Sequence, residues 1–278
     1  MWLLGKPVAD EILGQIRTLV QHTTGGGRRP PRLAVVFVGD NPASAVYIRQ
    51  KERAARTVGI ETDVLRLDAT VRMGDLLAAI DRLNGDPTVD AILVQMPLPA
   101  GLDADAVLER VGAHKDADGL HPLNLGRLMA GAPGPRPCTP AGVMALLAHY
   151  GQETAGRRAV VIGRSRLVGW PAAIMLTQAQ ATVTIAHSRT RELSRLLSEA
   201  EIVVAAAGHP GLVTAEYVRP GAVVVDVGIT RTADGLRGDV DPAVAERAAA
   251  LSPVPGGVGP LTVAMLLRNT WEAYSGAL

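Results

Sequence analysis

The stretch AVVIGRSRLVGWPAAIMLTQAQATVTIAHSR, residues 159–189, decides the fold of this chain. It begins with an apolar run, Ala159 to Ile162, which breaks at Gly163 and continues to a second glycine, Gly169. A helix-like span and another β-prone run, Thr182 to Ile185, follow. This order predicts one βαβ mononucleotide-binding unit, because a glycine turn lets phosphate approach the backbone amides at a helix start.

The end of the second run indicates which nucleotide would bind. NAD-binding folds commonly place an acid there for the ribose 2′-hydroxyl, whereas this chain has His187-Ser188-Arg189. With no carboxylate to repel a 2′-phosphate, and with Arg164 in the opposite turn, the local chemistry favours NADP over NAD. The spacing is G-x-S-x-x-x-G and not G-x-G-x-x-G. On the turn alone, a parallel α/β sheet that binds no nucleotide is the alternative.

Composition narrows the class of protein. A length of 278 residues suits two domains, or one large one. With 47% hydrophobic but only 3% aromatic residues, the cores must be built from Ala, Val and Leu. A net charge of +1 gives no reason to expect nucleic acid or a membrane surface as partner. The single cysteine, Cys138, fits a reducing compartment. No apolar run approaches about 18 residues, and MWLLGKPVADE does not resemble a signal peptide. These features predict a soluble, cytoplasmic protein.

Segments of helical and strand character alternate along the chain, which predicts parallel α/β sheets. We predict helices over 7–22, 41–58, 73–84, 103–111, 141–150 and 261–274, and further strands over 32–39, 62–67, 90–94, 202–206 and 222–227. Residues 23–31 are predicted to form a surface loop. The proline-rich stretch 112–140 is predicted to be loop-rich and to mark a domain boundary.

Helix 41–58 carries the first catalytic candidate, Lys51. Asn41 can cap this helix, with Pro42 at its first position. A helical projection places Tyr47 and Lys51 on an inward stripe, opposite an arginine-rich face. Burial disfavours the charged ammonium and suits a lysine to proton transfer, which an arginine cannot perform. A snorkelling lysine at the rim of the stripe is the alternative.

Three other segments end strands or form loops that could hold a ligand. Gln95 interrupts AILVQMPLP (91–99) where a strand ends, and it could bind a ligand, a catalytic group or simply a backbone group. Asp118 stands before a glycine in KDADGLHPLNLGRL (115–128), where an ordinary turn is the structural alternative. The loop SPVPGGVGPLT (252–262) allows close backbone approach, either to a flat ligand or within a connector.

The histidines and the cysteine do not suggest a metal or a nucleophile. The six histidines have no H-x-x-x-H spacing, so we predict no metal site. Cys138 has no activating base nearby in the sequence and is predicted to be structural.

Taken together, several motifs resemble the bifunctional methylenetetrahydrofolate dehydrogenase/methenyltetrahydrofolate cyclohydrolase family. They are GDNPASAVYIRQK (39–51), ILVQMPLP (92–99), KDADGLHPLNLGRL (115–128), PCTPAGV (137–143), VVIGRSRLVGWP (160–171), VDVGI (225–229) and PVPGGVGPLTVAMLL (253–267). The resemblance implies two α/β domains, the second a Rossmann-like dinucleotide-binding domain, with a folate cleft between them. It implies limits of 1–140 and 141–260, a C-terminal helix 261–278 that returns to the first domain, and a homodimer.

The resemblance also implies roles for individual residues. Lys51 would be the central catalytic residue, Tyr47 would stack on the folate, Gln95 would tune Lys51, and Asp118 would hold the amino edge of the pterin. Residues expected in the NADP site are Gly163, Arg164, Ser165, Gly169, Ser188, Arg189 and Ile229. Further folate contacts are expected from Pro255, Gly256, Gly257, Pro260 and Thr262.

The implied activity is NADP-dependent oxidation of 5,10-methylenetetrahydrofolate, followed by hydrolysis of the methenyl product to 10-formyltetrahydrofolate. This chemistry belongs to one-carbon metabolism. Two alternatives remain open from the residues: a dehydrogenase without the hydrolase, and a non-catalytic nucleotide-responsive scaffold protein.

Overall fold

The structure is a computed structural model that describes residues 1–233 and 235–277. The chain forms two compact units. The N-terminal unit comprises Glu11–Arg136 with Val263–Leu278, and the central unit comprises Met1–Asp10 with Pro137–Thr262. Both contain parallel sheets with helices, so the predicted α/β fold class is confirmed. The predicted domain limits stay predictions. Within the described ranges, no helix combines the length and the apolar character needed to cross a membrane.

The N-terminal unit is built on a three-stranded parallel sheet. Its strands are β1 (Arg32–Val38), β2 (Glu61–Leu67) and β3 (Ala91–Val94). The helices of this part of the chain are α1 (Gly5–Gly25), α2 (Pro42–Val58), α3 (Met73–Gly85), α4 (Ala104–Arg110) and α5 (Pro122–Met129). The strand order is β2-β1-β3. The central strand β1 and the strand β3 are buried along almost their whole length, whereas β2 alternates between exposed and half-buried residues.

The order of these strands creates a switch point at β1. The chain leaves β1 for β2 on one side and later forms β3 on the other side. A segment after α4 extends this sheet, since Ile92 pairs with Asp116 and Ile92 N donates to Lys115 O at 2.6 Å. Ligands of open α/β sheets bind outside the carboxyl ends of strands at such a point. Gln95, which follows β3, lies at this edge.

The central unit contains a larger parallel sheet and a short hairpin. Its strands are β4 (Arg158–Ile162), β5 (Thr182–Ala186), β6 (Ile202–Ala205), β7 (Val223–Asp226), β8 (Thr230–Thr232), β9 (Gly235–Arg237) and β10 (Ala250–Leu251). The helices are α6 (Cys138–His149), α7 (Gly169–Gln178) and α8 (Leu193–Glu199), with a 3₁₀ helix over Pro242–Glu246. The parallel order is β10-β7-β6-β4-β5, and β8 pairs with β9 antiparallel.

The βαβ unit predicted over 159–189 is present as β4, α7 and β5. Val161 of β4 lies in register with Ile185 of β5 on one side and with Val204 of β6 on the other. The chain therefore switches direction across the sheet at β4, which places a second switch point at Gly163. The core on one side of this sheet is made mostly of valine and alanine, as the composition predicts.

The last helix, α9 (Gly259–Ser275), contributes its residues from Val263 onward to the N-terminal unit. The Asn269 side-chain amide donates to the carbonyl oxygens of Ala117 and Arg136, both at 2.9 Å. The Tyr274 hydroxyl donates to Arg29 O at 2.6 Å. These bonds attach the helix to Ala117, which directly precedes Asp118, to Arg136 and to the segment before β1.

Most predicted elements are confirmed within a few residues, but two predicted loops are wrong in part. Helix α5 lies inside the stretch 112–140, because Pro122 occupies the first helical position and His121 Nδ1 accepts from Leu123 N at 3.0 Å. Helix α1 continues to Gly25, into the predicted loop 23–31. The Thr23 hydroxyl donates to Leu19 O there. Helix α8 and the β8–β9 hairpin were not predicted.

Candidate active site

Helix α2 presents Lys51 toward the sheet of the N-terminal unit. Asn41 Oδ1 accepts from Ser44 N at 3.3 Å, so the predicted cap is present. On the inward stripe Ser44, Ile48, Ala55 and Val58 are buried, and Lys51 is half-buried. Tyr47 differs from the prediction, since it is 42% exposed and lies at the margin of the stripe. Its ring is therefore available to stack on a ligand.

Lys51 Nζ donates to Gln95 Oε1 at 3.0 Å. The bond directs the Lys51 side chain toward a residue that is only 8% exposed, while the catalytic role of Lys51 stays a prediction. Gln95 also satisfies the backbone, since its Nε2 donates to Met96 O at 2.6 Å. Gln95 thus binds both another side chain, Lys51, and a backbone carbonyl. The backbone bond orients the amide so that its oxygen faces the ammonium.

Asp118 is half-buried in a loop that a neighbouring acid organises. The carboxylate of Asp116, 6% exposed, accepts from Gly119 N at 3.0 Å, His121 N at 2.8 Å and Asn124 Nδ2 at 2.9 Å. The residue between the two acids, Ala117, is held by its amide, which donates to Ile92 O at 3.2 Å. Asp118 is therefore placed by a hydrogen-bonded segment attached to β3.

Sequence reasoning missed Asp116, Asn124 and Asn269 as residues that support this segment. An acid three residues before a glycine, as in Asp116-Ala-Asp-Gly119, is the one local signal that could have identified Asp116. The two asparagines act across long sequence separations, so no local pattern identifies them.

The three lysines have different environments. Lys6 forms an exposed ion pair with Asp10 at 2.6 Å. Lys115 is buried and donates to Leu83 O at 3.1 Å and Asp86 O at 2.7 Å, and burial lowers the pKa of its ammonium. The two backbone carbonyls that it binds thus account for the buried position of Lys115. Lys51 is the lysine whose partner is a side-chain amide at a switch point.

The turn after β4 has no room for a side chain at either of its two glycines. Gly163 has a φ of +119°, and a Cβ on it would overlap the carbonyl oxygen of Ala206, which follows β6. A Cβ on Gly169 would overlap the carbonyl oxygen of Gly163. Such close backbone packing at the start of a helix is the cradle that a dinucleotide phosphate needs. These residues therefore fit NADP.

The other residues predicted for the NADP site lie around the same edge of the central unit. Ser165 Oγ accepts from Val168 N at 3.2 Å, just before α7. Arg164, Ser188 and Arg189 are exposed, and Ile229 is 49% exposed. Their side chains are thus accessible to a ligand.

Two buried acids support this edge and were not predicted. Asp239 Oδ2 accepts from Ala207 N at 2.6 Å and Gly208 N at 2.9 Å, which fixes the loop that packs on Gly163. Asp226 Oδ1 accepts from Gly228 N and Asp239 N, both at 3.0 Å. Burial raises the pKa of Asp226 to about 6. No periodic pattern marks these acids, since each binds backbone amides brought close by the fold.

The predicted folate loop belongs to the central unit and packs against the start of α1. Gly5 N donates to Gly256 O at 2.9 Å, and a Cβ on Gly257 would lie 2.6 Å from Pro253 O. Close packing against Pro253 thus explains why residue 257 is a glycine. Pro255 is exposed and Pro260 is half-buried. The hydroxyls of Thr262 and Thr139 are hydrogen-bonded, 3.0 Å apart.

Within the part of the chain that the structure describes, no group of three or more His, Cys, Asp or Glu residues could hold a metal ion. Cys138 is buried at the start of α6.

Comparisons with known proteins identify the family of the chain. Residues 3–118 match the family model described as the catalytic domain of tetrahydrofolate dehydrogenase/cyclohydrolase. Residues 137–278 match the model of the NAD(P)-binding domain of the same family.

Individual relatives agree with these matches. The chain is 60% identical over 273 residues to the bifunctional protein FolD of Synechococcus sp. strain RCC307, covering 98% of this chain and 94% of that relative. The crystal structure of the bifunctional enzyme FolD from Campylobacter jejuni has a TM-score of 0.97 and 42% identity, with 100% and 99% of the two chains covered. The Trypanosoma brucei FolD structure, complexed with NADP cofactor and inhibitor, has a TM-score of 0.94 and 39% identity, with 100% and 98% covered. The glycine turn, the Lys51–Gln95 pair and these similarities together show that the chain belongs to the tetrahydrofolate dehydrogenase/cyclohydrolase family.

Proposed function

We propose that this chain oxidises 5,10-methylenetetrahydrofolate with NADP and hydrolyses the methenyl product to 10-formyltetrahydrofolate, with Lys51 as the central catalytic residue. The observation that carries the proposal is the bond between Lys51 Nζ and Gln95 Oε1, 3.0 Å long, at the switch point of the N-terminal unit. The bifunctional relatives support both activities.

The oxidation step calls for positioning more than for acid or base groups. Loss of hydride from the methylene carbon leaves a cation that both flanking nitrogens stabilise. When bound, NADP supplies the hydride acceptor for this step. The protein has to hold the reacting atoms in line. The rigid turn around Gly163 and Gly169 would hold the dinucleotide, and Ser165, Ile229 and Arg164 would line its site.

The hydrolysis step needs proton transfer, which is the role assigned to Lys51. Water adds to the methenyl carbon, forming a C–O bond, and the bond from that carbon to one flanking nitrogen breaks. Lys51 would accept one proton of the attacking water and pass a proton to the released nitrogen. The second proton of the water leaves the new hydroxyl group for solvent as the formyl C=O forms, so that one proton is released overall. Gln95 would hold Nζ beside the substrate through its oriented amide oxygen.

The remaining folate residues are assigned by position. The half-exposed ring of Tyr47, one helical turn before Lys51, would stack on the folate. Asp118 would accept hydrogen bonds from the amino edge of the pterin. The folate contacts of Pro255, Gly256, Gly257, Pro260 and Thr262 stay predictions.

Replacing Lys51 by Met tests the assignment. We expect hydrolysis of the methenyl compound to fall by roughly 10²- to 10⁴-fold, the usual contribution of a positioned acid–base group. Affinity for NADP should stay within about twofold, because Lys51 and the glycine turn lie in different units. The assay follows the absorbance of the methenyl compound after NADP is added to methylenetetrahydrofolate. Undiminished hydrolysis in this variant would refute the role of Lys51.

The same assay separates the alternatives when it is run on the unaltered protein. Methenyl absorbance that rises without decaying identifies a dehydrogenase that lacks the hydrolase. No turnover with either NADP or NAD identifies a non-catalytic scaffold protein. Oxidation followed by decay supports the bifunctional enzyme.

Assembly and location are also part of the proposal. A homodimer follows from the family resemblance, and light scattering on the purified protein measures the mass directly. A cytoplasmic location is supported by the single, buried cysteine. Cell fractionation tests it.

A further inference from the structure

The turn after β5 carries two residues of the proposed NADP site at its tip. Thr190 N donates to His187 O at 2.8 Å, which closes a β-turn whose two central residues are Ser188 and Arg189. Both central residues are exposed. The conformation of this turn therefore decides where their side chains can meet a ligand.

Two side chains brace the turn from inside. His187 Nδ1 accepts from Arg189 N at 3.1 Å, in the manner of an Asx turn, where a side chain binds the amide two residues later. His187 N donates to Thr190 Oγ1 at 2.8 Å. We call His187 and Thr190 the turn brace.

The turn brace lies directly beside the nucleotide cradle. Gly163 N donates to Ala186 O at 2.8 Å, so the residue before His187 contacts the glycine turn. NAD-binding folds place an acid at this strand end, where it binds the ribose 2′-hydroxyl. Here the strand ends in a braced turn with a hydroxyl and a guanidinium at its tip.

We propose that His187 and Thr190 are positioning residues that set the preference for NADP over NAD, an inference that rests on the proposed function. They hold Ser188 and Arg189 where both can bind the 2′-phosphate through charge-assisted hydrogen bonds. A turn already held in the binding geometry loses less conformational freedom when the phosphate arrives. NAD has no 2′-phosphate, so the brace contributes little to its binding.

The test compares two pairs of variants that differ in the bracing acceptor. His187→Leu and Thr190→Val remove the acceptor, whereas His187→Asn and Thr190→Ser keep one at the same position. Calorimetry on the purified protein measures the Kd of 2′,5′-ADP, which carries the 2′-phosphate, and of 5′-AMP, which does not. The ratio of kcat/KM for NADP to that for NAD is measured alongside.

We expect His187→Leu and Thr190→Val each to lower the affinity for 2′,5′-ADP by roughly tenfold, equivalent to about 1.4 kcal/mol of binding free energy. The affinity for 5′-AMP should change by less than about twofold, and the kcat/KM ratio should fall in parallel with the 2′,5′-ADP affinity. His187→Asn and Thr190→Ser should stay within about threefold of the unaltered protein. This pattern supports a bracing role directed at the phosphate.

Two results overturn the inference. If 2′,5′-ADP and 5′-AMP lose affinity equally in His187→Leu and Thr190→Val, the two residues stabilise the unit in general. If His187→Asn and Thr190→Ser bind 2′,5′-ADP as weakly as His187→Leu and Thr190→Val, the acceptor role is excluded. A different result would reject the proposed cofactor itself: an unaltered protein that binds 2′,5′-ADP no more tightly than 5′-AMP. The two failures are therefore distinguishable.

Discussion

Gly163 offers the sharpest test of the nucleotide cradle, through replacement by alanine. Two costs add at this position. Its φ of +119° is a conformation that L residues rarely adopt, which costs about 1–3 kcal/mol. The new Cβ would also lie closer than 3.0 Å to the backbone oxygen of Ala206, a separation that real Cβ atoms essentially never show. The turn and the end of β6 would have to move apart.

We expect Gly163→Ala to lower the free energy of unfolding by about 3 kcal/mol or more, which corresponds to a fall in Tm of roughly 6–12 °C for a chain of this size. The affinity for NADP should fall by at least about tenfold, because the displaced turn carries Arg164 and Ser165. Calorimetric unfolding and titration with NADP measure the two effects on the same preparation.

Gly14→Ala is the matched control. Gly14 lies within α1, and no heavy atom lies within 4 Å of the Cβ that alanine would add. The free energy of unfolding should rise by about 0.5–1 kcal/mol in this variant, because alanine is the better helix former. The reasoning is refuted if Gly163→Ala unfolds at the same temperature as the unaltered protein and binds NADP within about twofold of it.

Two further predictions concern buried ionisable groups. Burial raises the pKa of Asp226 from 3.8 to about 6, so between these values the folded protein keeps a proton that the unfolded chain has released. Stability therefore decreases as pH rises from about 4 to about 6, by about 3 kcal/mol in total. Chemical denaturation across that range should show this slope, and Asp226→Asn should flatten it, although Asn also disturbs the bond from Val240 N; an unchanged slope contradicts the assignment to Asp226. Lys115→Met removes two part-buried bonds to backbone carbonyls and should destabilise the fold by about 2 kcal/mol, while methenyl hydrolysis stays within about twofold. Lys51→Met should show the opposite pattern, and a loss of hydrolysis in Lys115→Met with unchanged stability would reverse the roles of the two lysines.

Local sequence pattern was sufficient to predict helix α2 and the glycine turn after β4, the two elements that carry most of the candidate site. The period of α2 identified Lys51 as inward-facing, because four neighbours on its stripe are apolar or small and the opposite face is rich in arginine. The glycine spacing after β4 identified the nucleotide turn for an equally local reason. Local pattern failed at α5, where Pro122 begins a helix inside a proline-rich stretch whose composition indicates loops. It also missed α8 and the β8–β9 hairpin, which are short segments with weak periodicity.

The hydrogen-bond partners of the site residues could not be identified in this way, because they lie far apart in the sequence. Residue patterns alone left Lys51 and Gln95 as separate candidates with ordinary alternatives, and only the family resemblance linked them. Their bond spans 44 positions. Asn269 supports Ala117 across 152 positions, and Asp239 supports the loop at Ala207 across 32. Such partners depend on the strand order, which the apolar pattern of each strand does not encode.

By itself, the sequence determined the alternation of helices and strands, the glycine turn, the composition of the cores and the family to which the motifs point. These follow from residue-by-residue preferences that act over a few positions. The tertiary structure decided which amide orients Lys51, which acids hold the two loops, and how His187 and Thr190 brace the turn. Hydrogen bonds of this kind form only after parallel strands have brought their carboxyl ends to one edge, so they are a property of the assembled fold.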